Sequence, residues 1–218
     1  MILPAYNSER TIEVSIQSVL NQTYSDLEIL VVLNGCTDGT EDAVGRISKK
    51  DGRVKLLHSE KGIVPALNTG LRYSSGEIIA RQDSDDEWYP LKLEKQLQQF
   101  TDCDILGTQI DVNSSGNINR SNYPLDHNRC VGWLLGSQNP IAHPSVMFKR
   151  SILNKVGGYW DIFPLAEDMD LWMRCIPFFK LKNTDFVGMK YNHIHNPKYD
   201  SNVCRIVSHH YRNLYGVK

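Results

Sequence analysis

The chain has 218 residues, 41% of them hydrophobic and 22% charged, which suits a soluble globular protein with one large α/β core. Twenty-four Lys and Arg against 25 Asp and Glu leave a net charge of -1, so no general field draws the chain to nucleic acid or anionic lipid, and only local grooves remain open. No apolar run approaches the roughly 20 residues of a bilayer span. The five cysteines are scattered without a CxxC pair, which argues against a disulfide framework or a structural zinc site. Pro4, Asn7 and Glu9 interrupt any signal-peptide layout at the N-terminus. These features predict a cytoplasmic protein.

In chain order, Met1 to Leu3 reads as the stub of a strand that stops at Pro4. Asn7 and Ser8 are candidate caps for a helix whose stripe is Ile12, Ile16, Val19 and Leu20. Residues 27–33 (LEILVVL) form a near-continuous apolar run, the mark of a parallel strand covered on both faces. Asn34 to Thr40 is turn-rich and leads into a helix with Ala43, Val44 and Ile47. Val54 to Leu57, Pro65 to Tyr73 and Ile78 to Ala80 continue as strand, helix and strand. Repeated strand–helix units predict a parallel, doubly wound sheet with right-handed crossovers.

Pro90 suits the first turn of a helix carrying Leu93, Leu97 and Phe100. The second half is more mixed. Residues 105–112 and 118–123 flank Asn113 to Asn117 as a hairpin-like pair, Ser145 to Phe148 reads as a strand, Ala166 to Ile176 as a short helix and Phe186 to Tyr191 as a late strand. His209 and His210 read as part of a polar tail. Neither a linker nor an internal repeat is visible, so one domain is expected, with residues 1–112 and 113–218 as its halves.

Ligands of doubly wound sheets sit beyond the carboxyl ends of the strands. Polar clusters fall at three such ends: Pro4 to Asn7, Asn34 to Asp38 and Asp83 to Asp86. Each alone could be a helix cap or turn; together they converge on one crevice. In extended chain Asp83 and Asp85 point to the same side. Carboxylate oxygens are hard ligands suited to Mg²⁺ or Mn²⁺, which keep positions open for phosphate.

The segments PAYN, SVLNQTYSDLEILVV, NGCTDGT, GIVPALNTGL, GEIIARQDSDDEWYPLKLEKQ, NPIAHPSVMFKRSILNKVGGY and AEDMDLWMR, in this order, resemble the landmarks of family 2 glycosyltransferases. The resemblance covers nearly the whole chain. It implies a single α/β domain of the GT-A fold, with a Rossmann-like parallel half and a mixed-sheet acceptor half. It further implies inverting transfer of a sugar from a nucleotide-diphosphate donor, UDP-linked by preference, to a glycan or glycoconjugate hydroxyl, with Mn²⁺ or Mg²⁺ on the diphosphate.

The resemblance also assigns residues. Pro4, Ala5 and Tyr6 match the segment lining the nucleoside, and Asn34 stands where the family usually has an aspartate that reads the base. Asn68 lies in a helix bordering the donor. Asp83 and Ser84 lie in the DxD triplet, with Asp83 near the ribose and sugar and Asp85 on the metal. Asp86 has a less defined role. Glu167 and Asp168 match the ED motif, with Asp168 as base, and His195, with His193 as its competitor, resembles a late histidine of the metal or diphosphate site. His143 and Trp88 are candidates for contact with substrate as well as for packing. The chain starts inside the first strand, where the family has further apolar residues.

Three rivals remain. A sugar-nucleotide pyrophosphorylase needs a glycine-rich basic loop near the N-terminus, unlike PAYNSER. A NAD-dependent oxidoreductase needs GxGxxG after the first strand, which is missing. A degenerate donor-binding module would keep the crevice without turnover, and intact Asp83, Asp85 and Asp168 argue against it.

Overall fold

The computed structural model describes residues 1–192 and 201–217. Strands β1 (Ile2–Ala5), β2 (Ile29–Leu33) and β3 (Val54–His58) form a parallel sheet in that order, with Leu3 beside Val31 and Val31 beside Leu56. Every residue of β2 is buried, as its unbroken apolar run requires. On one face Leu3, Val31 and Leu33 pack with Ile12 and Ile16 of α1 (Ile12–Leu20) and Ala43 and Val44 of α2 (Thr40–Ser48). On the other, Ile2 packs with Val64, Leu67 and Leu71 of α3 (Ile63–Tyr73). Gly70 permits that approach, because a Cβ there would overlap the Ile2 side chain.

The second sheet is mixed. Strands β4 (Ile78–Ala80), β5 (Glu87–Trp88), β6 (Ile105–Ser114), β7 (Asn117–Arg120), β8 (Met147–Lys149) and β9 (Leu181–Asn192) lie in the order β4-β8-β6-β9-β5, with β7 on β6. Only the β6–β9 pairing is parallel. A bridge between Ile2 and Arg81 joins the sheets, and Gln82 N donates to the Ile2 carbonyl at 3.1 Å. Helices α4 (Lys92–Gln99), α5 (His127–Leu135), α6 (Leu153–Val156), α7 (Glu167–Cys175) and α8 (Ser201–Tyr215) complete the fold. Residues from both halves share each hydrophobic core. Among the described residues, no helix is long and apolar enough to cross a membrane.

Several elements differ from expectation. β1 runs through Pro4, because β2 pairs along one side while a single bridge touches the other, so the missing N–H is tolerated. β4 pairs antiparallel with β8 along its length and meets the parallel sheet only through the parallel bridge between Arg81 and Ile2. α1 begins at Ile12 with no side-chain cap, while the Ser8 carbonyl accepts from Thr11 N and Ile12 N. Asn7, at φ 48°, instead accepts from Thr37 N at 2.8 Å. His209 and His210 lie on α8, whose Val207 and Tyr211 are buried in the core; an amphipathic period was present there but was read as polar.

Candidate active site

Asp83, Asp85 and Asp86 follow β4, and one carboxylate oxygen from each lies within 4.8 Å of the others. Bonds from four directions hold this loop. Ser15 Oγ donates to the Asp83 carbonyl at 2.8 Å, and the Ser8 and Ser84 hydroxyls meet at 2.7 Å. From the end of β9, Asn192 N donates to Asp86 Oδ1 at 2.8 Å. Arg81, 5% exposed, donates from Nη1 to Asp83 Oδ2 at 2.6 Å and forms an ion pair with Asp83 through Nη2. Burial, followed by the Asp83 charge, pushes the carboxyl of Asp85 up to about 6 and that of Asp86 up to about 9.

A second acidic pair opens α7. Glu167 and Asp168 are both largely buried, with side chains 11% and 16% exposed. Consecutive helical residues diverge by about 100°, yet one nitrogen, His143 Nδ1, lies 3.9 Å from Glu167 Oε1 and 4.0 Å from Asp168 Oδ2. Asp168 has the better support for a negative charge, since Asn139 Nδ2 donates to Oδ2 at 2.7 Å and Met169 N donates to Oδ1 at 2.7 Å. Burial raises both carboxyls, and the Asp168 charge helps push Glu167 up to about 7. The pair therefore favours a proton on Glu167 and an anion on Asp168. Trp172, fully buried, packs edge-on against the His143 ring, with centroids 6.1 Å apart.

Asp83 of the first cluster and both residues of the second line one crevice of about 440 Å³, whose wall also includes Arg81, Tyr123, Asn139 and His143. The family model for Glycosyl transferase family 2 matches residues 1–157. The chain belongs to this family. It is 37% identical over 183 residues to the O-antigen biosynthesis glycosyltransferase WbnJ of Escherichia coli, covering 81% of this chain and 70% of that protein. It is 34% identical over 202 residues to the Escherichia coli UDP-Glc:alpha-D-GlcNAc-diphosphoundecaprenol beta-1,3-glucosyltransferase WfgD, covering 88% and 75%. The S. aureus TarS 1-349 structure in complex with UDP-GlcNAc superposes with a TM-score of 0.74 at 20% identity, over 94% of this chain and 64% of that one. The Pyrobaculum calidifontis mannosyltransferase PcManGT, in complex with GDP-Man and Mn²⁺, gives 0.67 at 23%, over 94% and 59%. The chain thus spans under two thirds of these solved chains, which share its GT-A fold.

In this glycosyltransferase the acidic loop fits a divalent ion by its own chemistry. Asp86 Oδ2 is buried without a hydrogen-bond partner, an arrangement that costs free energy and that a cation would relieve. Three hard oxygen donors on one loop suit Mn²⁺ or Mg²⁺. Asp85 and Asp86 are the residues that would hold it, since Asp83 already engages Arg81.

The other expected site residues are placed as follows. Pro4 and Ala5 are buried within β1, and the Ala5 carbonyl accepts from Asn34 Nδ2 at 2.9 Å. Tyr6 is 45% exposed, with Lys61 Nζ 5.1 Å from its ring centroid. Asn68 is half-buried; its amide donates to the Tyr159 carbonyl at 2.8 Å and accepts from Tyr159 N at 3.0 Å. Trp88 is buried and donates to the Pro144 carbonyl at 3.1 Å, so it is a core residue. His193 and His195 lie outside the described residues.

Sequence reasoning missed Arg81, Asn139 and Asn192. Arg81 interrupts the apolar strand IIA just before the acidic loop, and a cation entering a buried strand was a readable sign that acidic partners lie nearby. Asn139 opens the NPIAHP landmark, but like Asn192 it reaches the carboxylates only through tertiary folding.

Proposed function

We propose that this glycosyltransferase transfers a sugar, with inversion, from a UDP-linked donor to a hydroxyl of a glycan or glycoconjugate in the cytoplasm. The observation that carries the reading is one crevice lined by both Asp83 and the Glu167–Asp168 pair, with the Arg81 guanidinium beside Asp83. Asp168 takes the proton of the acceptor hydroxyl while its oxygen bonds to the anomeric carbon. The bond from that carbon to the diphosphate oxygen breaks on the opposite face, so the configuration inverts in a single displacement. Asp85 and Asp86 would hold a divalent ion, which would supply charge neutralisation for the departing diphosphate. Tyr6 and Asn34, at neighbouring strand ends, face the nucleoside. The UDP-Glc in the name of WfgD and the UDP-GlcNAc bound to TarS favour uridine over other nucleosides.

The test is a thermal-shift screen of UDP-, GDP- and dTDP-sugars with Mn²⁺, followed by nucleotide release with and without candidate glycan acceptors. A ligand that binds only the native state raises apparent stability. Stabilisation by UDP-sugars and acceptor-dependent UDP release are expected; binding without any release would leave a donor-binding module.

A further inference from the structure

His143 is buried in the turn His143–Ser145 and is unused in the transfer chemistry above. Its two nitrogens face opposite partners. Nε2 lies 2.9 Å from Tyr159 Oη, while Nδ1 faces Glu167 Oε1 and Asp168 Oδ2 at 3.9 and 4.0 Å. Burial pushes the Tyr159 phenol well up, so its hydroxyl keeps a proton to donate. Burial, with the Arg81 charge, pushes His143 well down, so its ring is neutral and carries one proton. A neutral imidazole offers one N–H and one acceptor nitrogen. Of the groups facing the ring, the ionised Asp168 can only accept at Nδ1, and neutral Glu167 lies beyond hydrogen-bond reach of it, whereas the Tyr159 phenol can donate to Nε2. The ring proton therefore belongs on Nδ1, with Nε2 accepting from Tyr159.

We propose that His143, fixed as its Nδ1–H tautomer by Tyr159, is a positioning residue that aims an N–H dipole at the Glu167–Asp168 pair and keeps Asp168 oriented as an anion. The separations of 3.9 and 4.0 Å exceed a hydrogen bond, so the ring acts through its field, which is stronger in a water-poor interior. The device extends further back. Asn68 of α3 holds the Tyr159 backbone from both sides, so a helix of the nucleotide half sets the phenol that sets the imidazole. This inference rests on the reading of Asp168 as base.

Long-range ¹⁵N couplings in histidine-labelled protein report the tautomer directly, with the His143 signal identified by its loss in His143→Asn. A neutral Nδ1–H ring near neutral pH is expected, moving toward Nε2–H in Tyr159→Phe. An Nε2–H ring or an imidazolium in the native protein overturns the proposal. The second arm uses geometry: Asn places its amide where Nδ1 sits, and Gln where Nε2 sits. UDP release from UDP-glucose and UDP-N-acetylglucosamine with Mn²⁺, water standing in for the acceptor, is then measured. His143→Asn should keep most turnover, while His143→Gln should lose about ten-fold in kcat at unchanged donor KM. Equal losses, or an effect on KM alone, would mean packing and nothing more. Asp168→Asn in the same assay keeps the two readings apart. If it retains turnover the base assignment fails; if it collapses while both His143 variants stay active, only the present inference fails.

Discussion

Asn192 grips the acidic loop twice: its N–H donates to Asp86 Oδ1 at 2.8 Å, and its side-chain amide donates to the Asp85 carbonyl at 2.7 Å. Asn113 Nδ2 in turn donates to Asn192 Oδ1 at 2.8 Å. The last residue of β9 thus fixes the Asp86 carboxylate and the Asp85 backbone, more than one hundred residues earlier in the chain, while Asp86 Oδ2 stays unpartnered and buried. The loop is built to hold negative charge in place, and its response to cations and protons follows.

The carboxyls of Asp85 and Asp86 are raised to about 6 and about 9, so the folded metal-free chain binds more protons than the unfolded one across that interval. Their contribution to stability is fully present below the ordinary carboxylate range and is lost as pH rises through about 6 and then about 9. A divalent ion should reverse this, so stabilisation by Mn²⁺ should grow from pH 5 to pH 8 as protons cease to compete. At about 100 times its Kd an ion adds roughly 2.7 kcal/mol, on the order of 5–10 °C for a domain of this size. Asp85→Ala should abolish both that shift and turnover. Thermal melts with Mn²⁺ and with EDTA decide it, and full activity in EDTA with metal shown absent would remove the claim.

For the acidic pair, Asp168→Asn should leave UDP affinity unchanged and cut turnover by on the order of 10²-fold or more, the scale of losing a general base. Glu167→Gln should do less damage, because Glu167 is the partner that carries the proton near neutral pH. Steady-state kinetics with calorimetric UDP binding check both. Retained turnover in Asp168→Asn would pass the role to Glu167.

At the nucleoside end, Tyr6→Ala should weaken UDP binding by about 1–3 kcal/mol, the worth of a large side chain covered by ligand. Asn34→Asp has two expected effects. It removes the Nδ2 donor to the Ala5 carbonyl, costing about 1 kcal/mol of stability, and it sharpens preference for uracil through a charged acceptor. Urea denaturation reads the first and competition among UDP, GDP and dTDP reads the second; an unchanged base order would show that residue 34 does not read the base.

Arg81→Met should destabilise the fold by about 2–3 kcal/mol, below the full cost of breaking a buried pair because Asp83 is partly solvated. The loss should shrink at low pH, where the acidic loop is protonated, and grow at high pH. A denaturation series across pH tests the sign.

The parallel core was readable from residues 27–33 because a strand covered on both faces needs an unbroken apolar run. The acidic loop and Glu167–Asp168 were readable through motif order. By contrast, α5 and α8 were not recognised, and neither was the tie between the Asn68 amide and the Tyr159 backbone. Polar residues that join distant segments look like surface residues in one dimension. The convergence of Glu167 and Asp168 on a single histidine nitrogen was hidden for the same reason, since helical angles describe where side chains leave the backbone and not where they end.

The paired bonds between Asn68 and Tyr159 tie α3 to the loop that precedes α7, across two hydrophobic cores that both halves already share. Among the described residues, a crevice fastened in this way is braced against hinging. Swinging one half away from the other would tear two buried cores and two hydrogen bonds at once. At the rim of this crevice Leu165, a bulky side chain 42% exposed, sits at φ 63° two residues before Glu167. The enzyme is in this sense a mould whose floor is cast by both halves of the chain together.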